Sequence, residues 1–344
     1  MKRPVPLPLT PLPLAALPLA ALLLAALLSA ACTVSQKLEQ VAQHELTDAP
    51  LISFDPRTYL CGYTADAPTI DGKIDDVAWA AAPWTTPFLD IQGPQEASPR
   101  FGCRAKMLWD EHGFYIAAEL PEPHLWATYD RRDSVIYHEN DFEVFLDPDG
   151  DTHGYMELEI NALNTVWDLL LEKPYRDGGP AVDAWDIPGL RTAVHLEGTL
   201  NDPSDTDVRW TVEIAIPWDD LRENANKPCP PLPGDQWRVN FSRVQWHIEP
   251  APDGGYRKSV DSKTGKSLPE DNWVWSPQGR VAMHMPEMWG VVEFAAPGED
   301  PRSRTAEVRN EDHARWALRR IYYAQRAFHR RTKTYSESWG PLGL

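Results

Sequence analysis

Cysteine is scarce in this 344-residue chain: there are four, with no CxxC pair and no Cys/His metal spacing. A zinc ribbon or a dithiol redox centre is therefore excluded. Positive charge is also in deficit, with 33 Lys and Arg against 51 Asp and Glu and a net charge of −18. Such a surface repels phosphate, so no nucleic acid partner is expected. There is no P-loop, no dinucleotide fingerprint, no Ser/His/Asp order and no repeat of fixed period. The ten histidines are scattered, and His138, His153 and His247 do not stand at ligand spacings.

What is present begins with an export signal. Lys2 and Arg3 precede a Leu/Ala run from Leu14 to Leu28, and small residues follow up to Cys32. Prolines in this segment argue against a permanent membrane helix. "LSAAC" resembles a bacterial lipoprotein signal with Cys32 as the acylated residue, although Ser29 stands where Leu is usual. The expectation is a signal peptide over 1–32 and a membrane partner reached through a lipid anchor, with plain secretion as the alternative. The protein would then be an exported cell-envelope lipoprotein, in the outer membrane or facing the periplasm. Residues 33–56 read as a linker. Cys61, Cys103 and Cys229 remain, and both a Cys61–Cys103 disulfide and buried free thiols are compatible with that count.

From residue 57 to 297 the chain alternates in short runs broken by Gly, Pro, Asn and Asp, the pattern of an all-β antiparallel sandwich. Candidate strands are "CRAKMLWD", "GFYIAAEL", "DFEVFLD", "YMELEINA", "TVWDLLLE", "RTAVHLEG", "VRWTVEIAIP", "WRVNFSRVQW" and "GVVEF", with a short helix in "PWDDLRENA". Trp79, Trp109, Trp210 and Trp218 fit the core of such a sandwich. Residues 298–344 form a C-terminal tail with an amphipathic α-helix. Its apolar face would hold Ala314, Ala317, Leu318, Ile321, Gln325 and Phe328, turned either to the sandwich or to a membrane surface.

Asp147–Asn161, "DPDGDTHGYMELEIN", concentrates the acidity. In the flanking strands Phe142, Val144, Leu146, Met156, Leu158 and Ile160 share one face, and Asp141, Glu143, Glu157, Glu159 and Asn161 share the other. Matching the apolar faces brings Glu143 near Glu157 and Asp141 near Glu159. Like charges placed opposite one another need water, cations, a basic partner such as Arg104, Lys106 or Arg243, or a ligand rich in donors. Asp147, Asp149 and Asp151 match the first three acidic positions of a Ca²⁺ loop, making calcium a candidate cofactor. The match stops at Thr152 and Leu158, and "DPDGD" serves equally as a metal-free turn.

Taken in order, "TIDGKIDDVAW", "MLWDEHGFYIAAEL", "ENDFEVFLDPDGDTHGYMELEINALNTVWD", "WTVEIAIPW" and "WGVVEF" resemble the family 9 carbohydrate-binding modules and their stand-alone lipoprotein relatives. The resemblance implies a jelly-roll or immunoglobulin-like, DOMON-like β-sandwich that binds a glycan or sugar end between aromatic rings, often with structural calcium nearby. It places Tyr137 at the first ring position and Glu143 at the sugar-binding carboxylate. Trp273 and Trp275, in the loop before the last strand, are candidates for the second ring. Glu159 stands where the sugar-binding modules carry a basic residue, with Asn161 after it, and Arg243 is a cation that could replace the missing one. The family acts by binding, so a non-catalytic role in polysaccharide capture or breakdown is expected. The alternatives are glycosidic cleavage by Glu143, Glu157 and Glu159, or a structural envelope protein without a slot.

Overall fold

The computed structural model describes residues 48–252 and 254–344. The proposed signal peptide, its Cys32 and most of the linker lie outside the described residues. Residues 50–316 form one compact unit; residues 317–344 belong to a second, together with residues 48 and 49.

Among the described residues fifteen strands are formed. They are β1 (Thr58–Tyr63), β2 (Leu89–Asp90), β3 (Arg104–Trp109), β4 (Gly113–Pro121), β5 (Asp141–Asp147), β6 (Tyr155–Asn161), β7 (Val166–Leu171) and β8 (Ala181–Val182), followed by β9 (Arg191–Glu197), β10 (Arg209–Pro217), β11 (Gln236–Gln245), β12 (Ile248–Pro250), β13 (Tyr256–Lys258), β14 (Asp271–Val274) and β15 (Gly290–Phe294). Three helices are α1 (Val77–Ala81), α2 (Trp218–Ala225) and α3 (Asn310–Thr332). Each of the nine candidate strand segments contributes a strand, and α2 is the helix read from "PWDDLRENA".

Among the described residues thirteen strands make one curled sheet in the order β8-β7-β6-β5-β11-β15-β1-β3-β4-β10-β9, with β14 attached to β11 and β2 to β14. Because β1 pairs with both β15 and β3, it joins the two layers of a β-sandwich, and both of its pairings are parallel. This departs from the expected all-antiparallel arrangement. It arises because the first strand lies directly between the last strand of one layer and an early strand of the other.

Strand alternation fills the space between the layers. Phe142, Val144 and Leu146 of β5, Met156, Leu158 and Ile160 of β6, and Trp237, Val239 and Phe241 of β11 meet Met107, Ile116, Trp210, Val212 and Ile214 from the opposite layer in one apolar cluster. Trp79, Trp109, Trp210 and Trp218 are all buried, as expected. The outer faces carry smaller clusters. Trp79 and Ala82 cover Leu108, Tyr115 and Ala215; on the other layer Trp289 closes over Phe145, Tyr155, Leu169 and Leu171. Close approach explains one glycine here, since a Cβ on Gly290 would stand 2.3 Å from the Trp275 ring.

Two expectations need correction. Cys61, Cys103 and Cys229 are all buried free thiols, so no Cys61–Cys103 disulfide forms. In α3, Ala314, Ala317 and Leu318 are exposed, Leu318 at 67%, while Tyr323 and Ala327 are the buried residues. The stripe read in the sequence is thus not the buried side of the helix. Among the described residues, no helix is long and apolar enough to cross a membrane.

Candidate functional site

The acidic face of β5 and β6 is sheltered. Asp141, Glu143, Glu157 and Glu159 are all buried. The face is the expected one, but the register differs by two residues: Glu143 lies opposite Glu159, Asp141 opposite Asn161, and Phe145 opposite Glu157. The loop between the strands sets this offset. Asp147 accepts hydrogen bonds from the Gly150 and Thr152 N–H groups, each at 3.0 Å, and so holds a wide turn before β6 begins. The slip by an even number preserves every side chain's face.

Burial dominates the electrostatics. The Glu143 carboxyl is pushed up to about 7, chiefly by desolvation, with the Ser242 hydroxyl opposing and Glu270 adding to the shift. Asp141, Glu157 and Glu159 are also raised well above the carboxylate range, first by burial and then by their acidic neighbours. Carboxylates sharing a dry face resist ionising together. Asp141 Oδ2 and Glu143 Oε2 have no hydrogen-bond partner. Among the described residues, no Lys or Arg forms an ion pair with Asp141, Glu143 or Glu159, and Glu157 meets only His284, at 4.0 Å.

An aromatic rim borders this face. Tyr137 is 41% exposed; its ring stacks on Trp167 at 6.3 Å, and its backbone N–H donates to Glu159 Oε2 at 2.9 Å. Trp246 donates its indole N–H to the Tyr137 carbonyl at 3.0 Å and carries the Lys258 ammonium over its ring. Tyr175, half exposed, packs against His284, and the charges of Glu157 and Glu159 help raise its hydroxyl to about 12 after the larger effect of burial.

The remaining sequence-derived candidates are elsewhere. Trp273 and Trp275 are almost fully buried within the core between the layers, so neither supplies the second ring. They lie on and immediately after β14, with Trp273 opposite Arg243, where the sequence had suggested a loop. Arg243 forms no ion pair with the acids, although its charge opposes the upward shift of Asp141. It shares the inward face of β11 with Phe241, donating to the Pro121 carbonyl at 2.8 Å and to Glu122 Oε2 at 2.5 Å, with Cys103 Sγ at 3.3 Å. Asn161 is buried and spent on the turn after β6. Its Nδ2 donates to the Tyr129 carbonyl, and its Oδ1 accepts from the Leu163 and Thr165 N–H groups.

Asp147, Asp149 and Asp151 do bring carboxylate oxygens within 4.8 Å of one another. The set nevertheless fits calcium poorly. Both Asp147 oxygens already accept backbone N–H groups, and Leu158, at the position that would complete such a loop, is in the core. Arg315 also donates to the Asp149 and Gly150 carbonyls.

Sequence reasoning missed several residues at the acidic face. Trp167 was legible, since pairing it with Glu159 fixes its side of the sheet. Ser242 was equally legible, sitting opposite Glu143. Tyr175 and His284 arrive on distant loops and leave no local signal.

Carbohydrate family 9 binding domain-like sequences match residues 70–230, a stretch that includes Tyr137 and all four acids but not Arg243, Trp273 or Trp275. Exoglucanase XynX of Acetivibrio thermocellus is 26% identical over 230 residues, covering 60% of this chain and 18% of that protein. The chain therefore aligns with less than a fifth of that relative. A family 9 carbohydrate-binding module of Caldicellulosiruptor kristjanssonii, solved with cellotriose, is 18% identical over 73% of this chain and 98% of its own, with a TM-score of 0.43. A candidate carbohydrate-binding protein of Bacteroides uniformis is 13% identical over 70% of this chain and all of its own, with a TM-score of 0.50, a likeness of fold. Residues 70–230, which lie within the β-sandwich, are thus the part of this chain that is similar to the carbohydrate family 9 binding domain-like family.

Proposed function

We propose that the protein binds carbohydrate without cleaving it, seating a sugar end against the Tyr137 ring above Glu143 and Glu159. The observation that carries this reading is the exposed Tyr137 ring, backed by Trp167 and tied through its N–H to Glu159. A ring face of this kind stacks on sugar C–H groups, while the carboxylates beneath accept from hydroxyls. The family match and the exoglucanase relative favour a glucan as the carbohydrate. Exported and held at the envelope through Cys32, the protein would gather glycan at the cell surface.

A glycan array comparing the parent chain with Tyr137→Ala tests this. The substitution should weaken binding at least tenfold, about 1.4 kcal/mol, with the fold intact by circular dichroism. Undiminished binding would move the slot elsewhere. One observation favours a second reading: Glu143, raised to about 7, is poised to exchange protons near neutrality. Release of reducing sugar, lost on Glu143→Gln and Glu159→Gln, would make the protein a glycosidase.

A further inference from the structure

We propose that Asp141, Glu143 and Glu159 form a site for one hard divalent cation, Ca²⁺ above all. One carboxylate oxygen from each residue lies within 4.8 Å of the other two. Ca²⁺ binds oxygen at about 2.3–2.6 Å, so oxygens on opposite sides of one ion stand roughly 4.6–5.2 Å apart. A single ion therefore reaches all three without rearrangement of the strands.

The second observation is the unmet bonding capacity. Asp141 Oδ2 and Glu143 Oε2 lack any partner, although their residues are only 0% and 4% exposed. Buried polar atoms are ordinarily satisfied, and two unpartnered carboxyl oxygens in one cluster are costly unless a proton or a cation sits between them. The protein shows elsewhere what a buried carboxylate with a purely structural role looks like. Glu213, also fully buried, accepts from Trp79 Nε1 at 2.6 Å and from the Asp71 and Gly72 N–H groups at 2.9 and 2.8 Å. Glu143 has only the Ser242 hydroxyl beside it, and its Oε2 has no partner.

Protein cations do not fill the gap. Arg243 points to the opposite face and is engaged with Glu122. His284, beside Glu157, is held neutral by burial and by Arg176, its pKa lowered to about 3. The donor set is all oxygen, which suits Ca²⁺ or Mn²⁺ and disfavours softer ions. Mg²⁺ is disfavoured because it keeps several waters, for which a buried cluster leaves little room. The three carboxylates carry six oxygens; Glu159 Oε2 and Asp141 Oδ1 accept the Tyr137 and Val244 N–H groups, and four have no backbone donor, so water would complete the Ca²⁺ shell.

The site does not depend on the carbohydrate reading. The test titrates CaCl₂ and TbCl₃ into the full chain with no sugar present, following calorimetric heat, the melting temperature and Tb³⁺ luminescence sensitised through Tyr137 and Trp167. Saturable binding should raise the melting temperature. Glu143→Gln, which keeps side-chain shape and removes a buried charge, and Asp141→Asn should each weaken binding at least tenfold. The loop variant Asp149→Asn/Asp151→Asn should leave it unchanged. Absence of any response in the parent chain, or a response that survives Glu143→Gln and vanishes in the loop variant, would overturn the proposal. A chain that takes Ca²⁺ but no glycan would retain this site and lose the proposed function.

Discussion

The two faces of the sheet made by β5, β6 and β11 carry charge in opposite ways. On the inner face Arg243 is buried, but its guanidinium meets Glu122, a carbonyl and a thiol. On the outer face, one residue away along β11, Ser242 lies opposite Glu143, and the acids there find few donors. A single step along a strand thus separates a charge that the fold has neutralised from charges that it has not. The lesson is about parity. Residues close in sequence and alike in chemistry act together only when the alternation of the strand puts them on one side.

The largest expected effect breaks the inner face. Arg243→Met leaves Glu122 buried without its cation, and removing one member of a buried pair costs about 3–5 kcal/mol. Urea denaturation should show that loss. Ca²⁺ affinity measured under conditions where the variant remains folded should equal the parent's, because the two faces do not share ligands. A matching loss of Ca²⁺ affinity would mean that the faces are coupled and the contrast between them false.

A smaller effect sharpens the contrast within β5 itself. Asp147 and Glu143 are both buried acids on this strand, and burial raises Asp147 to about 8. Asp147, however, holds two backbone N–H groups. Asp147→Ala should cost about 2 kcal/mol, since two donors lose their acceptor, with Asp147→Asn costing less because its carbonyl keeps one of them. Glu143→Gln should cost nothing and stabilise the cation-free chain. Equal losses at the two positions, measured by urea midpoint, would show that hydrogen bonding is not what separates them.

Much of the architecture was legible because alternation over seven residues leaves little freedom. Phe142, Val144 and Leu146 had to face inward together, and so the acids had to face outward together. Their exact opposition was not legible, because it depends on how Asp147 shapes the following turn. The rings of Trp273 and Trp275 were misplaced for a related reason. "DNWVWSPQG" reads as a loop until β14 pairs with β11, and then both rings fall on the inward side with Arg243. Tyr137 kept its exposed position because a short turn before β5 leaves its ring outside the sheet. The rim residues Tyr175 and His284 depend on contacts more than a hundred positions apart, such as Tyr155 with His284, and no local pattern encodes those.

The smallest effect concerns that histidine. His284 is the imidazole on the acidic face, yet it remains neutral, bonded to the Tyr155 hydroxyl at 2.9 Å and facing Glu157, Tyr175 and Arg176. Its pKa falls to about 3 in the folded chain from an ordinary 6.5, through burial first and Arg176 second. Above pH 6.5 neither folded nor unfolded chain protonates it, so its contribution to stability is fully present. As pH falls below that value the unfolded chain takes up a proton that the folded chain refuses, and stability is lost progressively towards the folded pKa. Between pH 7 and pH 5 this amounts to at most about 2 kcal/mol. The buried acids act in the opposite sense, since their raised pKa values favour the folded chain at low pH. The difference between the parent and His284→Gln therefore isolates the histidine. Urea midpoints at pH 7 and pH 5 should show a parent that loses more stability than the variant. Parallel behaviour would mean that His284 charges in the folded protein and supplies the acidic face with the cation it otherwise lacks.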